Sequence, residues 1–252
     1  MARADHPIHG ALAELLGDEA ATVVDLGCGG GGTLAAVAAR CPGAWLVGID
    51  ANVEDLARAQ SLLGTAARGV GLVRADLDEP LPLADGSVDA TVCHNVLENL
   101  HDPGALLREA SRILRPGGTA VWSHVDFDSF VVGGADVALD RRVLHAYADA
   151  ALPWAPLADA RMGRKLAGLV SASPLVLERV HAFPFVWTDL SGDAQARVAE
   201  IAAVLADAEA RGPAPVDSGD VAEWRRQLEE SSRSGSFFLA EVVFTVVSRR
   251  RA

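Results

Sequence analysis

A carboxylate and a run of glycines occur together near the start of the chain, where Asp25 precedes Gly27-Cys28-Gly29-Gly30-Gly31-Gly32. Glycine adopts positive φ freely and lets bare backbone approach a ligand. The run lies between the β-branched pair Val23-Val24 and the alanine-rich residues 33–40, so it predicts a strand, a tight turn and a helix N-terminus. Free N–H groups and the helix dipole at such a terminus suit a nucleotide-like group or its carboxylate. We therefore expect this turn to bind a nucleoside-containing cofactor.

The glycine spacing leaves two cofactors open. Gly27, Gly29 and Gly32 fit G-x-G-x-x-G, whereas Gly27, Gly29 and Gly31 fit the tighter G-x-G-x-G. Asp25 would lie close to the pyrophosphate of a dinucleotide, but it suits the ammonium and sulfonium end of S-adenosylmethionine (SAM). Charge therefore favours SAM over NAD, and a nicotinamide dehydrogenase remains the alternative.

Two further aspartates follow predicted strands. Asp50 ends the second strand, where an acidic side chain can accept hydrogen bonds from ribose hydroxyls. Asp76 follows the third strand. Because ligands of parallel sheets bind at the carboxyl ends of strands, we expect Asp25, Asp50 and Asp76 to line one crevice.

The elements that position these residues alternate between strands and helices, which predicts a doubly wound, mostly parallel sheet. After the first strand and helix we predict strands at 44–49, 70–74, 88–93 and 119–125, with helices at 53–63 and 103–114.

The rest of the chain differs in pattern. Residues 136–151 and 157–170 have helical periodicity and could cover the ligand edge of the sheet. Residues 175–187 and 237–247 are predicted to be a closing antiparallel strand pair, interrupted by helices at 193–210 and 221–232. Pro184 inside the first of these strands indicates an edge strand.

Composition limits the partners. The chain has 34 acidic and 22 basic residues and a formal net charge of −12, which disfavours a phosphate backbone. It has no apolar run near the ~18 residues of a membrane span and no visible secretory signal. Cys28, Cys41 and Cys93 form no C-x-x-C pair, so neither a disulfide framework nor structural zinc is indicated. We expect a cytoplasmic monomer or homodimer that binds neither nucleic acid nor membrane.

Five motifs in this order resemble the class I SAM-dependent methyltransferases, in the small-molecule branch similar to quinone-biosynthesis and natural-product enzymes. They are V-V-D-L-G-C-G-G-G, G-I-D, R-A-D-L, L-P-L-A-D-G-S-V-D and R-I-L-R-P-G-G. The resemblance implies a seven-stranded sheet of order 3-2-1-4-5-7-6 with its last strand antiparallel. It also implies one domain over 1–252, with a helical cap (1–20), a SAM-binding core (21–125), a helical lid (126–173) and a closing strand pair with a helical insertion (174–252).

The same resemblance assigns the cofactor contacts of SAM and of its product, S-adenosylhomocysteine. Gly27, Cys28, Gly29 and Gly31 would pass the methionine moiety, Asp50 with Ala51 would take the ribose, and Asp76 with the Leu77 backbone would take the adenine. His94 and Asn95, at the end of strand four, would flank the methionine portion or meet the acceptor. One departure stands out: many relatives have a Glu-His pair after strand four, and this chain has Glu98-Asn99.

The catalytic candidates are His124, Asp126 and His94. His124, Asp126 and Asp128 alternate and would share one strand face, where a histidine or carboxylate could take a proton from the acceptor. The same face could ligate a divalent cation, but such spacing is common by chance, and we predict no metal. The substrate candidates are Phe127, Phe130, Tyr147 and Trp154, which could clamp an aromatic or lipid-like acceptor, and Arg164, which could bind a carboxylate.

The sequence thus predicts a SAM-dependent methyltransferase acting on an oxygen or nitrogen atom of a small molecule. Holding the acceptor and the methyl group in line would supply most of the acceleration. Two alternatives remain: a C-methyltransferase of a quinone or polyketide precursor, and a module that binds SAM or S-adenosylhomocysteine without transferring methyl.

Overall fold

The computed structural model describes residues 6–64, 69–150 and 158–252. Within these ranges the chain divides into two compact units. Unit 1 comprises residues up to 124 together with 164–181 and 244–252, and unit 2 comprises 125–163 and 182–243. The predicted subdivision into cap, core, lid and closing strands stays a prediction.

Unit 1 contains the central sheet. Strand β1 pairs in parallel with β2 and β4, β2 pairs in parallel with β3, and β4 pairs in parallel with β5. Strand β8 follows β5 in the strand order, and β7 pairs with β8. The strands are β1 (Thr22–Leu26), β2 (Trp45–Asp50), β3 (Val70–Arg74), β4 (Val88–His94), β5 (Leu114–Val125), β7 (Leu175–Trp187) and β8 (Phe238–Arg250), the last two contributing residues to both units.

The helices of unit 1 begin at recognisable capping residues. Asn52 accepts hydrogen bonds from the backbone amides of Glu54 and Asp55, and Asp102 accepts one from Ala105 with proline at the next position. These caps satisfy amide groups that have no partner inside the helix. The helices are α1 (Pro7–Leu16), α2 (Gly32–Arg40), α3 (Val53–Leu63), α4 (Pro103–Ile113) and α6 (Met162–Ser171), whose first two residues belong to unit 2.

Unit 2 is built around helices α5 (Val137–Asp149), α7 (Gly192–Arg211) and α8 (Ser218–Ser234). Their apolar faces share one core, in which Trp224 is fully buried. The indole Nε1 of Trp224 donates to Oδ1 of Asp140 at 2.7 Å, so the buried polar atom of the ring is satisfied. Strand β6 (Val131–Gly133) pairs antiparallel with the start of β8.

The predicted fold class is confirmed, and the predicted order is largely matched: the eight-stranded sheet has the order β3-β2-β1-β4-β5-β8-β6, and β7 also pairs with β8. Three of the differences are informative. Strand β6 was not predicted, because three residues are too few to show alternation. Strand β5 begins at Leu114 rather than at 119, since the segment around Gly117 extends the strand beyond a register shift against β4. Helix α6 begins at Met162 rather than at 157, and residues 151–157 lie outside the described part of the chain.

The cap of α4 gives a test of the local structure. We expect Asp102→Ala to lower the free energy of unfolding by about 1 kcal/mol, because the Ala105 amide loses its acceptor. Asp102→Asn keeps a side-chain oxygen and is the matched control. Urea unfolding would measure both, and equal values for the two variants would contradict the capping role.

Candidate functional site

The glycine turn after β1 has backbone angles that glycine adopts most readily. The φ angles of Gly27, Gly29 and Gly31 are 78°, 49° and 84°. A Cβ atom on Gly27 would lie 2.2 Å from Cγ2 of Val96, so any side chain there would also clash. Gly31 is the left-handed residue at the start of α2, and its amide donates to the carbonyl of Cys28 at 2.9 Å. Neighbouring side chains pack closely on the turn, so glycine is required there for both its backbone angles and its lack of a side chain.

Asp50 fastens this turn to the end of β2. Its Oδ2 accepts a hydrogen bond from the Gly29 amide at 2.9 Å, and its Oδ1 accepts one from the Asn52 amide at 2.8 Å. Each carboxylate oxygen has a second lone pair, so acceptance of two backbone amides leaves capacity for hydroxyl donors. The side chain is only half-buried, which keeps that capacity accessible. The next residue, Ala51, is exposed, and its carbonyl accepts a hydrogen bond from Arg74.

Asp25 is the most unusual charge in unit 1. It lies inside β1, is 2% exposed, and its Oδ2 has no hydrogen-bond partner among the described residues. Burial, with a smaller contribution from the neighbouring Asp50 charge, raises the pKa of Asp25 from its usual 3.8 to about 7. A buried carboxylate oxygen without a donor is rare in folded proteins, and it fits a site that receives a cationic group.

Asp76 and Leu77 follow β3. Oδ1 of Asp76 accepts the backbone amide of Asp78 at 3.0 Å, which fixes a tight turn, and Leu77 is buried while Asp76 is exposed. Asp78 in turn accepts hydrogen bonds from the backbone amide and the ring Nδ1 of His101, at 3.0 and 2.9 Å. The segment after β3 is thereby linked to the segment after β4.

His94 and Asn95 lie at the end of β4. Ring Nδ1 of His94 lies 3.1 Å from Oγ of Ser123 on the paired strand, and ring Nε2 lies 3.3 Å from the amide nitrogen of Asn95. Asn95 has φ +53°, and within the described ranges no other residue besides glycines has positive φ. Burial, followed by the nearby histidines His9 and His124, lowers the pKa of His94 well below its usual range. His94 is therefore neutral at physiological pH.

The structure brings His124 against a residue that sequence reasoning did not assign to the site. Ring Nε2 of His124 lies 2.6 Å from Oε2 of Glu98, and both side chains are almost fully buried. His124 belongs to β5, and Glu98 belongs to a short 3₁₀ turn after β4. A carboxylate at this distance orients the imidazole ring.

Four other residues around this region were also missed: His9, Thr33, Ser123 and Thr245. His9 on α1 lies with Nδ1 2.9 Å from Oγ1 of Thr33, and its ring packs edge-to-face on His94 at 6.0 Å. Oγ1 of Thr245, on β8, donates to Oγ of Ser123 at 2.9 Å. None of these pairings is visible as a sequence spacing, because the partners are 24 to 122 residues apart.

Asp126 is fully buried in unit 2, where it shapes the loop after β5. Its amide donates to the carbonyl of Val242 at 3.1 Å, and its Oδ1 accepts the amide of Asp128 at 3.2 Å. Asp128 also accepts a hydrogen bond from Nε of Arg161 at 3.1 Å. Among the described residues, no group of three or more histidine, cysteine, aspartate or glutamate side chains is arranged to hold a metal ion.

The predicted aromatic substrate residues lie together in unit 2. Phe127 and Phe130 both pack edge-to-face on Tyr147, with ring centroids 5.8 and 6.1 Å apart. A small pocket is lined by Phe127, Tyr147, Ala150, Ala158 and Ala160. Trp154 lies outside the described residues, and Arg164 is exposed on α6 in unit 1. The structure therefore brings three of the five substrate candidates together.

Part of the chain, centred on unit 1, is similar in sequence to known methyltransferases. Residues 24–122 match the family described as a methyltransferase domain. The trans-aconitate 2-methyltransferase of Azoarcus sp. is 42% identical over 107 residues, which cover 42% of this chain and 40% of that protein. The ubiquinone biosynthesis O-methyltransferase of Sodalis glossinidius is 36% identical over 106 residues, or 41% of each chain. Alignments to the first five curated relatives cover only 34% to 52% of their lengths.

Solved structures share the fold over most of the chain. A candidate methyltransferase from Bacillus halodurans C-125 has a TM-score of 0.65 at 17% identity and covers 98% of this chain and 100% of its own. The [4+2]-cyclase SpnF has a TM-score of 0.59 at 19% identity, covering 97% and 80%. Geranyl diphosphate C-methyltransferase from Streptomyces coelicolor A3(2), solved with S-adenosyl-L-homocysteine, has a TM-score of 0.54 at 18% identity, covering 96% and 75%.

The strand order and the glycine turn define a class I methyltransferase fold, and the family match begins in β1, directly before that turn. Residues 24–122 are therefore similar to a methyltransferase domain. The turn, the capacity of Asp50 for hydroxyl donors and the buried oxygen of Asp25 fit SAM, whose amino and sulfonium groups are cationic.

The raised pKa of Asp25 predicts how the stability of the unliganded protein depends on pH. Because its pKa is raised in the folded state, the folded state holds this proton more tightly, and stability is lost as pH rises from about 4 to about 7. We expect Asp25→Asn to be more stable than the wild type at pH 8, by up to about 4 kcal/mol, and to lose this advantage at about pH 4.

Urea unfolding of both proteins across this pH range would measure the difference. Glu14→Gln removes an exposed carboxylate from α1 and is the control. A pH-independent difference between Asp25→Asn and the wild type would contradict the buried-charge explanation.

Proposed function

We propose that the protein transfers the methyl group of SAM to an oxygen or nitrogen atom of a small-molecule acceptor. The observation that carries this proposal is the combination of the positive-φ glycine turn, the Asp50 carboxylate that fastens it, and the buried Oδ2 of Asp25, which has no hydrogen-bond partner among the described residues. A dinucleotide would bring its negative pyrophosphate close to Asp25, whereas SAM brings positive charge. The similarity to a ubiquinone biosynthesis O-methyltransferase and a trans-aconitate 2-methyltransferase supports a small acceptor.

In this proposal, different residues of unit 1 contact different parts of SAM. The backbone of Gly27, Cys28, Gly29 and Gly31 lies along the methionine portion, with the Asp25 carboxylate attracting its cationic groups. Asp50, with the adjacent Ala51, accepts the ribose hydroxyls, and Asp76 with the Leu77 backbone meets the adenine. When bound, SAM supplies an electrophilic methyl group. The contribution of the chain is then to hold that group and the acceptor in line and to exclude water.

His124 is the proposed general base. Oε2 of Glu98 lies 2.6 Å from ring Nε2, which orients the imidazole for taking the acceptor proton. Asp126 is the weaker candidate, because its carboxylate and amide already hold the loop after β5. His94, neutral and adjacent to Asn95, is proposed to contact the cofactor or the acceptor without adding a positive charge beside the sulfonium.

Two alternatives have a specific observation behind them. The fold is shared with a geranyl diphosphate C-methyltransferase, so a carbon acceptor, for example in a quinone or polyketide precursor, is the second candidate. The fold is also shared with a [4+2]-cyclase, so a domain that binds SAM or S-adenosylhomocysteine without transferring methyl is the third. The effect of replacing His124 distinguishes transfer to oxygen or nitrogen from transfer to carbon, since attack by carbon can proceed without this base.

The location and the partners of the protein are the next part of the proposal. No helix in the described ranges is long and apolar enough to cross a membrane. We propose a cytoplasmic protein, in keeping with its three free cysteines, that works as a monomer or homodimer on a small molecule. The net charge of −12 supports the proposal that nucleic acid is not a partner.

Calorimetric titration with SAM, S-adenosylhomocysteine and NADH would test the cofactor. We expect the first two to bind in the micromolar range and NADH not to bind. Asp50→Ala should weaken SAM binding at least tenfold, because the ribose loses its acceptor and the Gly29 amide is released. Asp25→Asn should also weaken SAM binding while leaving the fold intact, and Glu14→Gln should leave it unchanged. Preferential binding of NADH would overturn the proposal.

Methyl transfer to a panel of phenols, amines and carbon acids would test the base. We expect His124→Ala to reduce transfer to oxygen or nitrogen at least 100-fold, with SAM affinity unchanged, and Glu98→Gln to reduce kcat with little effect on KM. Unimpaired transfer to carbon in His124→Ala would favour the C-methyltransferase alternative. SAM binding without turnover of any acceptor would favour the non-transferring module.

A further inference from the structure

Three polar side chains of unit 1 form a row across the neighbouring strands β4, β5 and β8: His94, Ser123 and Thr245. Ring Nδ1 of His94 lies 3.1 Å from Oγ of Ser123, and Oγ1 of Thr245 donates to the same oxygen at 2.9 Å. Ser123 is 3% exposed and Thr245 is fully buried, so their hydroxyl groups must find partners inside the protein. We call these three residues the polar row.

The atoms on either side of the His94 ring determine where its proton lies. Burial, followed by the nearby histidines, lowers the pKa of His94, so the ring is neutral and carries one proton. The amide nitrogen of Asn95 lies 3.3 Å from ring Nε2, and an amide nitrogen can only donate, so Nε2 is the acceptor. The proton is therefore on Nδ1, which donates to Oγ of Ser123.

Ser123 can accept both neighbours at once. A hydroxyl oxygen has two acceptor lone pairs, so Oγ of Ser123 can receive the Thr245 hydroxyl and the His94 ring together. A serine side chain can adopt other rotamers, in which Oγ would no longer face His94. The hydrogen bond from Thr245 therefore fixes the position of the oxygen that holds the imidazole.

Ser123 also holds the residue after His94. Its backbone carbonyl accepts the amide of Asn95 at 3.0 Å. Asn95 has φ +53°, a left-handed conformation that costs free energy for a residue with a side chain and that is often found at functional sites. One residue of β5 thus fixes the ring of His94 through its hydroxyl and the backbone of Asn95 through its carbonyl.

The end of β4 adjoins the glycine turn at two places. A Cβ atom on Gly27 would lie 2.2 Å from Cγ2 of Val96, the residue that follows Asn95. On the other side, the ring of His9 packs on His94 with centroids 6.0 Å apart, and its Nδ1 lies 2.9 Å from Oγ1 of Thr33 in the first turn of α2. The polar row therefore ends beside the turn that the proposed function assigns to the methionine portion of SAM.

We propose that Ser123 and Thr245 are positioning residues for SAM, which hold His94 in its Nδ1–H form so that its Nε2 orients the Asn95 carboxamide. With its nitrogen bound to His94, the carboxamide offers its oxygen, which has two lone pairs, to the cationic methionine portion. The other tautomer would place a ring N–H donor beside Asn95 and turn the carboxamide around. This inference rests on the proposed function and adds how its site orients an acceptor for the cation.

NMR of ¹⁵N-histidine-labelled, unliganded protein at neutral pH tests the tautomer, because protonated and unprotonated ring nitrogens have well-separated chemical shifts. The chain has seven histidines, and His94→Gln identifies the signals of His94. We expect Nδ1–H to predominate in the wild type, Ser123→Ala to lose this preference, and Thr245→Val to weaken it. A wild-type proton on Nε2, or an unchanged tautomer in Ser123→Ala, would overturn the inference.

Two controls separate positioning from a general loss of packing. Thr245→Ser keeps the hydroxyl and removes a methyl group, so it should retain the wild-type tautomer. Ser248→Ala removes another fully buried hydroxyl of β8, which accepts the indole N–H of Trp122 at 3.1 Å and is not part of the polar row. It should lower stability without changing the tautomer. An equal change of tautomer in Ser248→Ala and Thr245→Val would contradict a specific role for the row.

Calorimetric titration connects the tautomer with cofactor binding. We expect Ser123→Ala to weaken SAM binding three- to tenfold, about the net contribution of one hydrogen bond, and Ser248→Ala to bind SAM like the wild type. A changed tautomer with unchanged SAM affinity would overturn the role assigned to the row. The two proposals fail in different ways: a wild type that does not bind SAM refutes the proposed function, whereas a wild type that binds SAM with the His94 proton on Nε2 refutes this inference alone.

Discussion

The carboxylate of Asp50 joins two backbone segments on which the cofactor site depends. It accepts the Gly29 amide from the turn after β1 and the Asn52 amide from the start of α3. The turn could not close in this way with other residues, because three of its glycines have positive φ and Gly27 lies against Val96. One anion therefore fixes the position of the turn and, through its remaining lone pairs, the position offered to a ribose.

The same arrangement explains why Asp25 is tolerated. The side chain lies in the central strand, where burial and the nearby Asp50 both oppose its ionisation. A fold selected for stability alone would place an apolar residue there, since an unpaired buried carboxylate costs free energy. Its presence beside the glycine turn is explained if a cationic ligand offsets that cost when it binds. Stability and binding then place opposite demands on one residue, as is common at functional sites.

Local sequence patterns predicted the parts of the structure that depend on local chemistry. The strand, glycine turn and helix at residues 22–40 follow from β-branched residues and positive φ, and the sheet order follows from the succession of motifs. The pairing of His124 with Glu98 could not be predicted, because it depends on how β5 and the 3₁₀ turn after β4 meet. The ion pair between Arg197 on α7 and Glu241 on β8 likewise could not be predicted, since the two residues are 44 positions apart. Side-chain contacts between distant segments were therefore the unpredictable part.

Binding of the cofactor and binding of the acceptor also differ in how far the sequence reveals them. Cofactor recognition uses backbone geometry and a few carboxylates, which leave a motif. Acceptor recognition leaves no such motif, because the aromatic candidates Phe127, Phe130 and Tyr147 are residue types that any apolar core contains. Relatives that share the glycine turn can therefore differ in what they methylate.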